Sequence, residues 1–288
     1  MCGVLGICAP DRDVARLAHF GLHALQHRGQ ESAGIAVSDN GRLTVLRDLG
    51  LVAQVFSEEN VSGLQGQLAI GHTRYSTTGG VKWVNAQPIV QHGAARTVAV
   101  GHNGNLVNAS ELRDGLDVKL SSTSDTELIA ALIANDPQPL GDAVVSTMRR
   151  LEGAYSVTAL AEGKLLAFRD PHGFRPLVLG RLSDGWVIAS ETCALDLIGA
   201  DFVRAGLRRD DPVASEPPEA ERPEAVRVAE RDERVLGERD DRERAVELRH
   251  RVRDGLIERR RVVRDQRGDH LRVGGRPERD PLCRELGP

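Results

Sequence analysis

The first 204 residues of this 288-residue chain predict an α+β fold. Short apolar runs of strand length are interleaved with pairs of longer segments that have helical periodicity, and short turns join them. This order differs from the regular strand–helix alternation of a doubly wound α/β fold. Aromatic residues make up only 3% of the chain, so its core must be built from Ala, Val, Leu and Ile.

The N-terminal part of this region predicts one strand, one helix and then several strands. Residues 3–8 form a short apolar run typical of a strand, and Asp11 or Asp13 can cap a helix that continues to about His27. One side of that helix carries Val14, Leu17, Phe20 or Gly21, and Leu25. Further strand-like runs follow at 33–38, 42–47, 67–72 and 96–102.

The remainder of the region predicts two helices followed by four strands. Ser124 and Glu127 have the spacing of a capping box, directly before the apolar sequence of the second helix. Residues 141–151 predict a third helix. The four strands are predicted at 155–160, 164–169, 176–181 and 186–190.

The composition changes abruptly near residue 205. Charged residues make up less than a fifth of residues 1–204 but half of residues 205–288, which contain 21 Arg and no Lys. Such a segment buries too little apolar surface to offset the entropic cost of ordering its backbone. We therefore expect one domain at 1–204 and a disordered or partly helical charged tail at 205–288.

Two interpretations of this tail remain. Arg without Lys, together with Glu, Asp, Val, Gly and Pro, is typical of GC-rich DNA translated out of frame. A solvated arm is the alternative, because pairs such as Glu230 and Arg234 place opposite charges four residues apart. Acidic residues match the arginines one for one, so neither interpretation favours nucleic-acid binding.

Several other classes of protein are disfavoured by the sequence. No apolar run is long enough to span a membrane, and no leader of basic then apolar residues is present, so we expect a cytoplasmic protein. The four cysteines lack the close spacing of a disulfide framework or a zinc site. The histidines also lack metal-ligand spacing, and we expect no metal.

Cys2 is a candidate nucleophile because it directly follows Met1. A residue this small allows removal of the preceding Met, which exposes an α-amine beside the thiol. The amine titrates near about 8 and the thiol near about 8.5, so the amine can accept the thiol proton at neutral pH. A cysteine at this position is usually incidental, and the hypothesis depends on the surrounding motifs.

Five motifs occur in a fixed order, at 1–7, 26–34, 71–79, 101–106 and 124–127. Together they resemble the glutaminase domain of the class II glutamine amidotransferases, which are N-terminal-nucleophile hydrolases. Residues 26–30, 75–78 and 168–177 are most similar to the amidophosphoribosyltransferase family of purine synthesis. The resemblance covers residues 2 to about 204 and implies a four-layer αββα sandwich.

The resemblance implies catalytic roles for three residues. Cys2 would attack the side-chain carboxamide of glutamine, releasing ammonia and leaving a thioester that water hydrolyses to glutamate. The Asn103 side-chain amide and the Gly104 backbone N–H would form the oxyanion hole, where one donor is worth about 10²–10³ in rate. Taken alone, the Asn-Gly sequence instead favours a simple turn.

Binding roles also follow from the resemblance. Arg74 would bind the substrate α-carboxylate through two parallel hydrogen bonds, although a lone Arg is more often part of a surface ion pair. Asp125 would bind the α-ammonium group, and its position near a helix start equally suits the helix dipole.

Four further residues are assigned to the pocket by the same resemblance. Thr77 would line the glutamine site, and Tyr75 would help a loop close over it and retain ammonia. Arg28 and Gly29 would form part of the pocket wall. No chemistry is assigned to the segment at 169–176.

The family couples this glutaminase to a phosphoribosyltransferase domain that residues 205–288 do not resemble. We therefore expect no cofactor in this chain. Mg²⁺ and, in some relatives, a 4Fe–4S cluster would belong to the missing domain. Glutamine is the expected substrate, phosphoribosyl pyrophosphate is expected only in full-length relatives, and the family is expected to form homo-oligomers.

Two other functions stay open from the sequence. The chain could be a fragment of another class II enzyme, of the glucosamine-6-phosphate synthase type. It could also be a non-catalytic binding or regulatory remnant that uses the sandwich as a scaffold.

The out-of-frame interpretation of the tail predicts an inserted or deleted nucleotide near codon 205. Sequencing the gene across that codon checks it directly. A confirmed, uninterrupted reading frame through codon 205 would contradict the interpretation and favour the solvated arm.

Overall fold

The computed structural model describes residues 1–75 and 82–205. Thr77 and the tail at 205–288, apart from residue 205, lie outside the described residues. The strands are β1 (Gly3–Cys8), β2 (Ser32–Asp39), β3 (Arg42–Leu49), β4 (Leu68–Arg74), β5 (Ile89–His92), β6 (Thr97–Leu106), β7 (Gly153–Ala161), β8 (Lys164–Arg169), β9 (Val178–Leu182), β10 (Gly185–Ala189) and β11 (Asp201–Ala205). The helices are α1 (Val14–Ala24), α2 (Val52–Val55), α3 (Glu58–Ser62), α4 (Ala109–Asp114), α5 (Asp125–Asn135), α6 (Leu140–Arg150) and α7 (Thr192–Ile198).

The strands of this described region form two antiparallel sheets. The larger sheet has the order β11-β9-β10-β1-β4-β2-β3, and the smaller has the order β5-β6-β7-β8. Small and branched apolar side chains from both sheets meet in one buried layer, as the shortage of aromatic residues requires. This layer includes Val4, Ala36, Ile70, Ala99, Leu160 and Leu165.

Helices cover the outer face of each sheet. The helix α1 packs on the larger sheet in a core shared with α2, α3 and α7, whereas α4, α5 and α6 share a core with the smaller sheet. The order of layers is therefore helix, sheet, sheet, helix. The expected α+β class and four-layer sandwich are both confirmed.

The predicted helix after β1 exists, but its details differ. Asp13, and not Asp11, caps α1 by accepting a hydrogen bond from the Arg16 backbone N–H at 2.9 Å. Gly21 lies on the buried side, while the Phe20 side chain is 44% exposed. A Cβ on Gly21 would come within 2.7 Å of Leu5, so the absence of a side chain lets α1 approach β1 closely.

The predicted capping box at Ser124 is only half correct. Ser124 caps α5 through its side chain, which accepts from the Thr126 backbone N–H. Glu127 does not bond back to the cap: its buried carboxylate accepts from the backbone N–H groups of Ser121 and Ser122. Glu127 therefore fixes the loop before the helix.

Six short elements were not predicted from the sequence, namely α2, α3, α4, α7, β5 and β11. The strand β11 pairs with β9 at one edge of the larger sheet, and all five of its residues are exposed. None of the described helices is long and apolar enough to cross a membrane.

A pair of buried histidines connects the two sheets. His72 of β4 donates from Nε2 to the backbone carbonyl of His102 on β6, at 3.0 Å. Burial lowers the pKa of each histidine to about 3. Both rings are therefore neutral at physiological pH.

This pair predicts a loss of stability in mild acid. The pKa of each histidine is lower in the folded state than in the unfolded chain, so the unfolded chain binds protons first. The free energy of unfolding is therefore highest above about pH 6.5 and falls as the pH drops toward 3. Each histidine should lower the free energy of unfolding by about 2 kcal/mol between about pH 7.5 and about pH 5. Urea unfolding at both pH values measures this change.

The variant His72→Gln provides the comparison, because its amide can still donate to the His102 carbonyl but does not titrate. We expect it to remove about half of the histidine contribution. An unchanged pH dependence in His72→Gln would show that the His72 ring does not cause the acid sensitivity.

Candidate active site

The thiol of Cys2 lies at the end of β4. Its Sγ is 3.4 Å from the Tyr75 carbonyl oxygen, to which it donates, and 3.5 Å from the Tyr75 backbone nitrogen, from which it accepts. Burial raises the pKa of the thiol, against the lowering effects of the Tyr75 hydrogen bond, the terminal ammonium and Arg74. The thiol is therefore protonated at neutral pH, and a base is needed to make it a nucleophile.

Arg28 and Gly29 hold the backbone around Cys2. The Arg28 side chain is only 4% exposed, and its Nε donates to the Cys2 carbonyl at 2.9 Å. A Cβ on Gly29 would lie 2.6 Å from the backbone of Arg74, so glycine lets the turn at 26–28 approach the end of β4. Arg28 thus contacts Cys2, and Gly29 lies against the end of β4; their place in the pocket wall stays a prediction.

Arg74 ends β4 next to the thiol. Its side chain is buried and donates to Glu31 Oε2 at 3.0 Å. The alternative of an ion pair is therefore present, but the pair is buried and not at the surface. Glu31 was not singled out from the sequence, although it lies within the motif at 26–34. The Tyr75 ring is exposed, and it is the Tyr75 backbone that contacts Cys2.

Asn103 and Gly104 lie inside β6, so the alternative of a simple Asn-Gly turn is wrong. Gly104 faces Tyr155 of β7, and a Cβ at Gly104 would overlap the Ala154 carbonyl. The Asn103 side chain is 1% exposed, and its Nδ2 has no hydrogen-bond partner among residues 1–75 and 82–205. An unpaired buried amide costs about 1–3 kcal/mol, and a ligand oxygen that accepts from Nδ2 would offset that cost.

Asp125 lies at the first turn of α5, next to the end of β6. Its Oδ2 accepts from the Leu106 backbone N–H at 2.9 Å. Burial raises the pKa of this carboxyl, while the Leu106 hydrogen bond and Arg113 lower it. Asp125 is therefore fixed to the strand that carries Asn103, in addition to lying at a helix start.

The histidine pair brings these two groups of residues to one end of the sandwich. His72 precedes Arg74 by two residues on β4, and its bond partner His102 directly precedes Asn103 on β6. The His102 backbone N–H in turn donates to Gln87 Oε1 at 2.7 Å. Sequence analysis missed these connections because no local pattern marks them.

One group of described residues could offer ligands to a metal ion. His27, Glu191 and Cys193 have ligand atoms within 4.8 Å of one another. The Arg28 guanidinium donates to the same Glu191 carboxylate. A cation at this position would face an existing positive charge, which disfavours metal binding.

Comparisons with known proteins find related sequences and a related fold. The model of the family described as "Glutamine amidotransferase domain" matches residues 72–197. The chain is 52% identical over 214 residues to the amidophosphoribosyltransferase of Mycobacterium tuberculosis, which covers 70% of this chain and 41% of that protein. It is 52% identical over 213 residues to the amidophosphoribosyltransferase of Synechococcus elongatus, covering 70% and 43%.

A solved structure is also similar. The glutamine phosphoribosylpyrophosphate amidotransferase of B. subtilis superposes with a TM-score of 0.67 at 38% identity, covering 72% of this chain and 46% of that one. The chain thus spans less than half the length of the relatives named here. Residues 72–197 of this chain therefore match a glutamine amidotransferase domain, and about 70% of the chain is similar to the amidophosphoribosyltransferases.

Proposed function

We propose that this domain hydrolyses glutamine to glutamate and ammonia with Cys2 as the nucleophile. The observation that carries the proposal is the buried Asn103 amide, which has no hydrogen-bond partner in the described region. Asn103 lies on β6, which the His72 hydrogen bond joins to β4, and β4 ends beside Cys2. A thiol needs such a donor to stabilise the oxyanion that forms when it attacks an amide.

Removal of Met1 starts the proposed mechanism, because it leaves the Cys2 α-amine free. The amine takes the Sγ proton, and Sγ forms a bond to the substrate carboxamide carbon. Asn103 Nδ2 and the Gly104 backbone N–H then stabilise the negative oxygen. The amine returns the proton to the leaving nitrogen, ammonia departs, and water hydrolyses the thioester to release glutamate.

The charges around the site suit the free amino acid. Arg74 provides a buried guanidinium for the substrate α-carboxylate, and Glu31 keeps that guanidinium in place. Asp125 provides a carboxylate at the neighbouring end of β6 for the α-ammonium group. A ligand with one positive and one negative group complements this arrangement, whereas an uncharged amide does not.

The transferase activity that the relatives' names describe is a wider proposal. In a chain of the relatives' full length, ammonia from this site would be transferred to phosphoribosyl pyrophosphate to form phosphoribosylamine. Mg²⁺ and any iron–sulfur cluster would be bound outside the described residues. We propose a cytoplasmic homo-oligomer without nucleic-acid binding, and we expect this chain alone to form no phosphoribosylamine.

The nucleophile is tested by Cys2→Ala. We expect purified protein to release glutamate from glutamine and the variant to release none above the uncatalysed rate, because the attacking sulfur is lost. Coupled glutamate dehydrogenase assays measure the rate, and intact mass establishes that Met1 is removed. Equal rates in the two proteins would remove Cys2 from the mechanism.

The oxyanion hole is tested by Asn103→Ala. Loss of one donor should lower kcat by about 10²–10³ and change KM little, because the donor acts on the transition state. Asn135→Ala is the control, since Asn135 bonds only to Ala94 and Ala131 backbone atoms at the other end of α5 among the contacts observed. A higher KM with an unchanged kcat would contradict this role for Asn103.

A further inference from the structure

We propose that Glu191 is a positioning residue for Cys2 and acts through Arg28. The inference rests on the proposed glutaminase function, and it adds a residue that lies far from the recognised motifs in sequence. Glu191 does not contact Cys2 itself. It holds the guanidinium that in turn holds the Cys2 backbone.

The first connection is the bond between Arg28 and Cys2. Arg28 Nε donates to the Cys2 carbonyl at 2.9 Å, and Arg28 Nη1 donates to Glu191 Oε1. The Arg28 side chain is almost fully buried, so it cannot exchange Glu191 for water without moving. The orientation of the guanidinium, and with it that of the Cys2 carbonyl, therefore depends on this carboxylate.

The second connection fixes the backbone beside Glu191 to β1, the strand that follows Cys2. Ser190 donates from its backbone N–H to the Val4 carbonyl at 2.9 Å, and its Oγ accepts from the Val4 N–H at 2.9 Å. Glu191 follows directly and is the N-cap residue of α7. The backbone next to Glu191 is therefore fixed to Val4, two residues after the nucleophile.

Glu191 also has a second hydrogen-bonding neighbour. Its Oε2 lies 2.9 Å from His27 Nε2. Burial opposes ionisation, but the hydrogen bonds from Arg28 and His27 lower the pKa of Glu191 below its usual value. The carboxylate is charged at neutral pH and can keep the buried guanidinium paired.

This arrangement matters because the nucleophile belongs to the end of the chain. Chain termini are poorly ordered unless they are tied down. A displacement of about 1 Å in a reacting group can cost about 10²-fold in rate. Loss of Glu191 should therefore affect the reaction more than the binding of glutamine.

Three variants of the full chain test this role. Glu191→Ala should lower kcat by about 10- to 100-fold with KM changed less than about threefold. Glu191→Gln keeps an oxygen acceptor for Arg28 and should retain more of kcat than Glu191→Ala. Glu162→Ala is the matched control, because Glu162 pairs with the buried Arg96 away from the site, and we expect wild-type kinetics.

A second measurement follows the terminus without requiring activity. The rate of Cys2 alkylation by iodoacetamide, read by peptide mass spectrometry, should rise severalfold in Glu191→Ala, because a released terminus exposes the thiol. Glu162→Ala should leave that rate unchanged. A fall in kcat together with a rise in alkylation is the signature of lost positioning.

The outcomes separate this inference from the proposed function. If the wild type hydrolyses glutamine and Glu191→Ala matches it in kcat and alkylation, the positioning role is wrong and the glutaminase stands. If kcat and alkylation fall together, the variant changes thiol reactivity and the role is again wrong. If the wild type releases no glutamate, the proposed function fails. Faster alkylation in Glu191→Ala would then support the positioning role of Glu191, and an unchanged rate would contradict it.

Discussion

The structure depends on holding the start of a chain in place. Residues 3–8 form β1, which is hydrogen-bonded to β10 on one side and to β4 on the other. Every residue of β1 is buried. A strand paired on both sides in the middle of a sheet is among the least mobile positions in a fold, so the residue before it is held where most termini would fray.

The two sheets then bring the other groups to the same end. Arg74 ends the strand next to β1, and Asn103 lies on a strand of the facing sheet. The His72–His102 hydrogen bond sets the relative position of these two strands. Because both rings are neutral, this connection adds no charge beside the Arg74–Glu31 pair, and the electrostatics of the site are set by carboxylates and guanidinium groups.

Periodicity and motif order predicted much of the sandwich but not its tertiary connections. Regular apolar runs such as 3–8 and 164–169 specify strands locally, and both were found with those bounds. The four-residue β5 and α2 are too short for a periodic signal. The helical periodicity allowed either Phe20 or Gly21 on the buried side of α1. The close approach of α1 to Leu5 of β1 requires Gly21 there. Glu191 and Gln87 act across large sequence separations, where no local pattern exists.

The position of Cys2 one residue before β1 has a practical consequence for anyone producing this domain. An affinity tag fused ahead of Met1 would prevent the removal of Met1 that the proposed mechanism requires. The cysteine nitrogen would then stay an ordinary peptide amide, which has no basicity near neutral pH. It would also need space where Arg28 Nη2 now approaches the Met1 sulfur. Purification handles therefore belong on the other end of the polypeptide.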